Sequence, residues 1–520
     1  MGTKHGKSMR GCETAGRRKK TFDGIYGARF GRLFNKSHGA KFGKTAAQSL
    51  ANLTKLAEAM VSEVDLPKDG PDAEESGIPS LYTYFGQFVD HDLTFDPSSS
   101  FQKQKDPNAT EDFRTPAFDL DNVYGRGPGD QPYLYDSDGV SFLLGDPITQ
   151  GTNDHARDLQ RNAAGRALIG DPRNDENSIV SQLQGLFQRF HNRVVRETKQ
   201  RGKKPDFEEI QKKVRSTYQY IVINDFLPRI VSAAVLNRYK TKGVYDADKL
   251  KVFKGFTIPF MPVEFSVAAY RLGHSMVRPG YRLNDTVLLP IFPLVDNGFP
   301  EGLTGFRRLI SDWALDWGRF IDIDRRAYGS QRDANKVPPT AANLKRLQFA
   351  YRIDTALVDP LSALPKSVAV NPDSLPLRNL KRGAEFGLPS GQTAAKLLQV
   401  PVLRDEHILI GQGVDRPGRG SLRPISKIDK VFKNNCPLWT YILAEAMHHK
   451  VKVSVPVIGR KKVSTPQLGP VGGSIVAEVF LGLMFADEDS YLSRLKTQPD
   501  WAPERRKNYA LKDFVEFALH

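Results

Sequence analysis

The chain has 520 residues, 40% hydrophobic and 26% charged, with a net charge of +16. That is the composition of a globular protein with room for one large core or several ordinary ones. No apolar run reaches the roughly 20 residues that span a bilayer. Only Cys12 and Cys436 are present, which excludes a disulfide framework, a thiol zinc site and a Cys-x-x-Cys-His haem attachment.

Residues 1–42 read as a basic arm. Residues 1–45 hold 12 Lys/Arg against 2 Asp/Glu, a charge of +10, and leave +6 for the other 475. A solvated arm and a contact for an anionic partner both fit that pattern, while the near-neutral body argues against a nucleic-acid enzyme. The first 20 residues contain no apolar h-region, so no secretory signal is expected. Leu50, Leu53, Leu56 and Met60 predict a helix within 43–63. A Pro/Gly/Asp stretch, 67–79, leads into a helix near 80–94, and 95–110 reads as a polar loop. Amphipathic helices are predicted over 178–201 and most of 206–240, and another over 262–277, stopped by Arg278-Pro279-Gly280. Later helices are expected near 304–318, 392–400, 438–450, 472–485 and 510–519, with Pro-rich connections at 337–340 and 360–376. The longest apolar run, Gly472–Leu492, is interrupted by Glu478 and reads as a buried core helix. Strand signals are short, VLLPIFPLV at 287–295 and VKVSVPVI at 451–458. The predicted fold is mainly α: one large domain over 43–520 with few short strands.

Four stretches carry residues suited to chemistry. In FGQFVDHDLTFD (Phe85–Asp96), helical geometry puts Gln87 and His91 on one face, four residues apart. Asp90 then reaches the edge of that face and Asp92 points away. A lone histidine there is ordinarily a hydrogen-bonded core residue. In RTPAFDLDNVYG (Arg114–Gly125), Thr115, Ala117, Asp119 and Asp121 alternate. If extended, they offer a hydroxyl, a carbonyl and two carboxylates on one side, hard oxygen ligands suited to Ca²⁺, with Asp92 as a third carboxylate. An Asp-rich turn reads equally well. In GDPRNDENSIVSQLQ (Gly170–Gln184), Arg173 and Glu176 precede a helix capped by Asn177 or Ser178; a surface arginine and a helix-start carboxylate are their ordinary roles. In AAYRLGHSMVRPGY (Ala268–Tyr281), His274 follows Gly273, and a neutral imidazole there is able to bind a metal while its other nitrogen meets an acceptor such as Asn379.

Taken in this order, the stretches resemble the animal-type haem peroxidases, the superfamily of myeloperoxidase, lactoperoxidase and peroxidasin. The family's Gln-x-x-Asp-His-Asp stands here as Gln87, Asp90, His91 and Asp92. Its calcium loop is similar to Thr115–Asp121 followed by Val123-Tyr124-Gly125. Its Arg-x-x-Glu is matched by Arg173 and Glu176, with His191-Asn192-Arg193 further along the helix. Its Arg-x-Gly-His is matched by Arg271, Gly273 and His274, and its Asn-x-x-Arg by Asn379 and Arg382, ahead of Gly387-Leu388-Pro389.

The resemblance implies haem bound through iron by His274, with Asn379 accepting that ring's second N–H and Arg271 and Arg382 near the haem. It implies His91 as distal acid and base, Gln87 as its cavity partner and Arg173 stabilising developing negative charge. Asp90 and Glu176 match the positions of ester bonds to the haem. Calcium falls to Asp92, Thr115, Ala117, Asp119 and Asp121. Asn177 stands where a methionine would form a sulfonium link, so the site looks like lactoperoxidase. The expected reaction is reduction of H₂O₂ with oxidation of halide, thiocyanate or phenolic donors. The scarcity of cysteine points to a bacterial relative. A calcium site and an oxidant product suit the outside of a cell, reached without a signal, rather than the cytoplasm.

Two rival readings stand beside this one. A fatty-acid dioxygenase of the same superfamily would need a tyrosine three residues before His274, where Arg271 stands; Tyr270 is one residue too early. A non-catalytic basic binding protein on a peroxidase scaffold would not need the full set His91, Arg173 and His274.

Overall fold

The computed structural model describes residues 28–63, 65–94, 111–112, 116–254, 259–369, 371–411, 422–459, 461–495, 498, 502–503 and 506–520. Nine helices of seven residues or more lie among them: α1 Ala46–Ala59, α2 Leu81–Leu93, α3 Ser178–Gln200, α4 Phe207–Ile221, α5 Leu375–Glu385, α6 Gly391–Leu397, α7 Leu438–Ala446, α8 Pro470–Ala486 and α9 Leu511–Leu519. Local chemistry sets several starts. Thr45 caps α1 by accepting the Gln48 N–H, Asp206 caps α4 by accepting that of Glu209, and Asn177 caps α3 by accepting those of Ile179 and Val180.

One continuous apolar core runs from Phe34 to Leu519. Helix α2, which carries His91, threads its middle. Phe88 stacks on Phe187 of α3 at 4.4 Å, and Tyr218 of α4 meets both Phe85 and Phe88 edge-on. On the far side of α3, Phe190 stacks on Phe514 of α9 at 4.1 Å. Helix α8 is buried on every side. Its one interior charge, Glu478, accepts backbone N–H groups of Lys251, Val252 and Phe253 at 2.8–3.2 Å, so the burial leaves no carboxylate oxygen stranded.

The strands are short. The longest pair is the antiparallel hairpin Lys450–Val455 with Lys461–Pro466. Glu75–Pro79, which leads into α2, pairs with Phe349–Tyr351. Ala28–Gly31 lies between Glu111–Asp112 and Met261–Pro262. Residues 1–27 of the expected arm lie outside the described residues. The remainder, 28–42, is fastened to the body: Glu264 accepts the Leu33 N–H at 2.9 Å, and Phe34 and Phe42 are buried.

Three expectations are corrected. The helix predicted over 262–277 is three short turns, Val263–Ser266, Ala269–Leu272 and Gly273–Met276. It breaks at Ala268, whose φ of −129° and ψ of −69° leave the helical region. The helix predicted near 304–318 is absent, because Phe306 has a φ of 57° and the segment bonds outward to Asp175 and Thr149 instead of to itself. Conversely, 375–385 is a full helix that begins inside the expected Pro-rich connection 360–376. Ser374 caps it, and Pro376 falls in the first turn, where a missing N–H costs nothing. Within 206–240, α4 passes into a π turn at Val222–Phe226.

Candidate active site

A cavity of about 720 Å³ opens beside α2, and its lining is mostly apolar, including Ile291, Leu303, Leu361 and Leu364. The predicted residues Gln87, Asp90, His91, Glu176, Arg271 and His274 all line it. The hundred-degree step of α2 brings Gln87, Asp90 and His91 to this wall and turns Asp92 to the opposite side.

His91 is buried, and its Nδ1 lies 2.7 Å from Asn174 Oδ1. Asn174 in turn donates Nδ2–H to Gln184 at 2.8 Å, which fixes its carbonyl toward the histidine. The proton of a neutral His91 therefore sits on Nδ1, and Nε2 keeps a lone pair. That Nε2 is 3.6 Å from Glu176 Oε1. Gln87 donates to Glu176 and accepts from Asn177 Nδ2 at 3.2 Å. Asn177 thus caps α3 and orients the cavity amide together. Burial pushes the Glu176 carboxyl up to about 7 against the pull of Arg173, although 35% of its side-chain surface faces the open cavity. Burial likewise raises Asp90, whose Oδ1 accepts Thr94 Oγ1–H at 3.3 Å.

His274 is held neutral: burial, and then the Arg271 charge, lower it to about 3. Its Nδ1 meets Asn379 Nδ2 at 2.8 Å, while Asn379 Oδ1 accepts from Arg271 Nη1 at 3.3 Å. The amide thus donates to the ring, the reverse of the expected direction, because Arg271 claims its oxygen. Gly273 has no atom within 4 Å of where a Cβ would stand, so the backbone beside His274 borders empty space. Burial, then Arg382, lowers Arg271 to about 10. Arg378 is lowered by burial and the same neighbour, and Arg382 lies 5.2 Å over the Phe386 ring. Three guanidiniums therefore gather on the His274 side of the cavity. Gly305, across the cavity, donates its N–H to Glu176 O at 2.9 Å, and a Cβ there would stand 1.8 Å from Asp175 O.

Arg173 is not among the residues lining the cavity. Its guanidinium pairs with Asp171 at 2.8 Å and donates to the carbonyls of His91, at 3.1 Å, and Thr94, so it ties down the end of α2. Asn174 was missed in the sequence because an asparagine between two charged residues reads as a turn; its place one residue after Arg173 was the available signal. His191-Asn192-Arg193 lies away from the cavity. His191 bridges Tyr124 and Val140, and Arg193 reaches Phe517 O at 2.6 Å. These contacts stitch α3 to the loop after Asp121 and to α9.

On the far side of α2, Asp92, Asp119 and Asp121 each place a carboxylate oxygen within 4.8 Å of the others. Oxygens around one Ca²⁺, each at 2.3–2.6 Å, stand up to about 5 Å apart. Asp119 Oδ2 is buried with no hydrogen-bond partner, and burial, then Asp121, raises its carboxyl well above the usual range. The segment is not the extended one expected. Leu120, at a φ of 60°, turns it into the short helix Asp121–Tyr124, and that turn converges the two carboxylates. Ala117 is buried in the same turn; Thr115 lies outside the described residues.

Residues 102–297 carry the sequence profile of the family described as animal haem peroxidase. Peroxidasin of Drosophila melanogaster is 25% identical over 268 residues, 50% of this chain and 15% of its own length. Human thyroid peroxidase is 26% identical over 229 residues, 43% of this chain and 21% of its length. The chain therefore spans only a minor part of these relatives. Among solved structures, peroxidase A from Dictyostelium discoideum superposes with a TM-score of 0.57 at 15% identity, over 98% of this chain and 97% of that one. The Oryza sativa fatty acid alpha-dioxygenase does so at 0.54 and 16%, over 95% and 87%; at such identities the likeness is one of fold. The sequence profile over 102–297, the partly matching proteins and the shared mainly-α fold make this chain similar to the animal haem peroxidases.

Proposed function

We propose that the protein is a haem peroxidase that reduces H₂O₂ and oxidises halide, thiocyanate or small organic donors. The carrying observation is two histidines on the wall of one apolar cavity, His91 buried with its Nδ1 held by Asn174 and His274 partly buried and held neutral. The cavity suits a planar apolar macrocycle: its wall is open at Gly273, and the Tyr270 hydroxyl inside is buried without a hydrogen-bond partner. His274 Nε2 would hold the haem iron. That role puts the ring proton on Nδ1, where Asn379 accepts it once its amide makes a half-turn. Arg271, with Arg378 and Arg382 behind it, would face the haem carboxylates. Haem supplies the two-electron chemistry that splits the O–O bond.

The residues themselves move the proton. His91 Nε2 takes it from one oxygen of H₂O₂ and returns it to the other, base and then acid, while Asn174 keeps Nδ1–H in place. Arg173 serves this step by fixing the His91 carbonyl and the end of α2 rather than by facing peroxide. Asp90 and Glu176 reach the cavity as carboxyls that burial keeps protonated more readily than usual, and they are the groups that would form esters to the haem. The absence of methionine at Asn177 leaves two links.

Peroxide added to the haem-loaded chain is expected to shift the Soret band, and acid-acetone is expected to leave haem on the polypeptide. D90N combined with E176Q should release nearly all of it. An unshifted band, or full release from the unaltered chain, would overturn the respective point.

A fatty-acid dioxygenase remains a second reading because Tyr270 lines the cavity and the rice enzyme shares the fold. O₂ uptake with linoleate, lost in Y270F, would favour it; halide oxidation without O₂ uptake would favour the peroxidase.

Asp92, Asp119 and Asp121, with the Ala117 carbonyl and Thr115, would bind calcium and tie α2 to the following loop. Calcium at a hundred times its Kd should raise unfolding stability by about 2.7 kcal/mol. EGTA should reverse the gain and D119A should abolish it, read by urea unfolding.

A further inference from the structure

Three tyrosines line the cavity, Tyr82, Tyr84 and Tyr270. A phenol gives up an electron readily only where a base takes its proton as the electron leaves, and the three differ in that respect. The Tyr270 hydroxyl is buried with no partner. The Tyr84 hydroxyl meets another phenol, Tyr281, whose oxygen already accepts the Arg278 N–H at 3.0 Å. Tyr82 alone donates to a carboxylate, Asp225 Oδ2, at 2.5 Å, a short charge-assisted bond.

The surroundings of that pair lead outward. Asp225 Oδ1 accepts from Arg229 Nε at 2.8 Å, and Oδ2 also accepts the Leu511 N–H at 2.9 Å. The Arg229 guanidinium lies 4.3 Å over the Tyr82 ring, and its side chain is 31% exposed. The ring therefore touches the cavity on one side and a half-exposed cation on the other. Asp225 stands in the π turn Val222–Phe226, whose extra residue resets the helical register there. Such turns recur at functional sites. Phe226, the next residue, lines the cavity as well. On nine residues of α2 at 1.5 Å each, Tyr82 lies about 13 Å along the helix from His91, away from where peroxide would bind.

We propose that Tyr82 is a one-electron relay, through which phenols or aromatic amines too large for the cavity are oxidised at the surface beside Arg229. The inference rests on the peroxidase reading. Tyr82 gives one electron to the haem centre that H₂O₂ has oxidised, and its Oη proton moves to Asp225 Oδ2, leaving a neutral phenoxyl radical. A donor at the Arg229 face then gives one electron to the ring, and the proton returns from Asp225. Two such cycles, with one proton lost by each donor, supply the two electrons and two protons that turn one H₂O₂ into two waters.

The test is freeze-quench electron paramagnetic resonance on the haem-loaded full chain after H₂O₂, with the Soret band read on the same sample. The expected result is a tyrosyl radical in the unaltered chain that falls at least tenfold in Y82F and in D225N and persists in Y270F. Spin-trapping of the unaltered chain, followed by peptide mapping, should place the adduct on the peptide holding Tyr82, a readout that does not depend on any variant folding. A Soret band that does not respond to peroxide would sink the peroxidase reading and the relay with it. A band that responds, with a radical undiminished in Y82F or an adduct mapped to another tyrosine, would sink the relay alone.

Discussion

H274A is expected to abolish haem retention. Titrating the haem-free variant with haemin should give no Soret band of the bound type, and peroxide-dependent oxidation of iodide should fall to background. The reason is the chemistry of the site. His274 is the cavity imidazole whose burial and whose neighbour Arg271 keep it neutral, down to about 3, and only a neutral nitrogen has a lone pair to give. The other cavity histidine has its Nδ1 fixed by Asn174 and its Nε2 3.6 Å from Glu176. An apolar cavity deprived of the imidazole that would hold the iron has only burial left to keep haem in place, which is too little to retain it. Retention of the normal spectrum and activity in H274A would place the cofactor, or the function, elsewhere.

E75A is expected to lower unfolding stability by about 3–5 kcal/mol, the cost of removing one partner from a buried ion cluster. Glu75 is 1% exposed and receives two guanidiniums. Arg346 donates to Oε1 at 2.8 Å and to Oε2 at 2.6 Å, and Arg278 donates to Oε1 and, at 3.0 Å, to Phe349 O. Without the carboxylate, two cations stay in the interior facing each other. The cluster also has a place in the architecture. Glu75 opens the strand that enters α2, which carries His91, and Arg278 follows the turn that carries His274. Urea unfolding should show a lower midpoint with an unchanged slope, and the haem-loaded form should lose affinity in parallel. A midpoint within the scatter of the unaltered chain would show that the cluster is dispensable.

Much of this was legible in the residues. Periodicity located α1, α2, α3 and α8, because each combines a long amphipathic or apolar run with a recognisable stop. The cavity face of α2 was readable as well: a hundred degrees per residue suffices to put Gln87 and His91 together and Asp92 opposite. What escaped was set by long-range contacts. Pro376 hid α5, since a proline inside a helical pattern reads as a break unless it falls in the first turn. The break at Ala268, which lets the His274 turn meet the cavity, has no local breaker in the sequence at all. Arg173 matched a motif in sequence, yet its direction depends on Asp171, two residues before it, and on carbonyls at the end of α2. Asn174 sets the His91 proton, but nothing in its own neighbourhood singles it out. Leu120 takes a conformation unusual for leucine, and only that turn shows how Asp119 and Asp121 converge.

Gly305 limits how the cavity could diversify. It lies next to Thr304, which bridges to Asn177, and the 1.8 Å approach to Asp175 O leaves no room for even a methyl group. Any heavier residue would pry that bridge apart and disturb the start of α3 along with the Gln87 amide. Descendants of this sequence that come to favour other donors are thus barred from reshaping the wall at that point, and have more room at other lining residues, Phe306 and Val368, whose side chains already reach solvent.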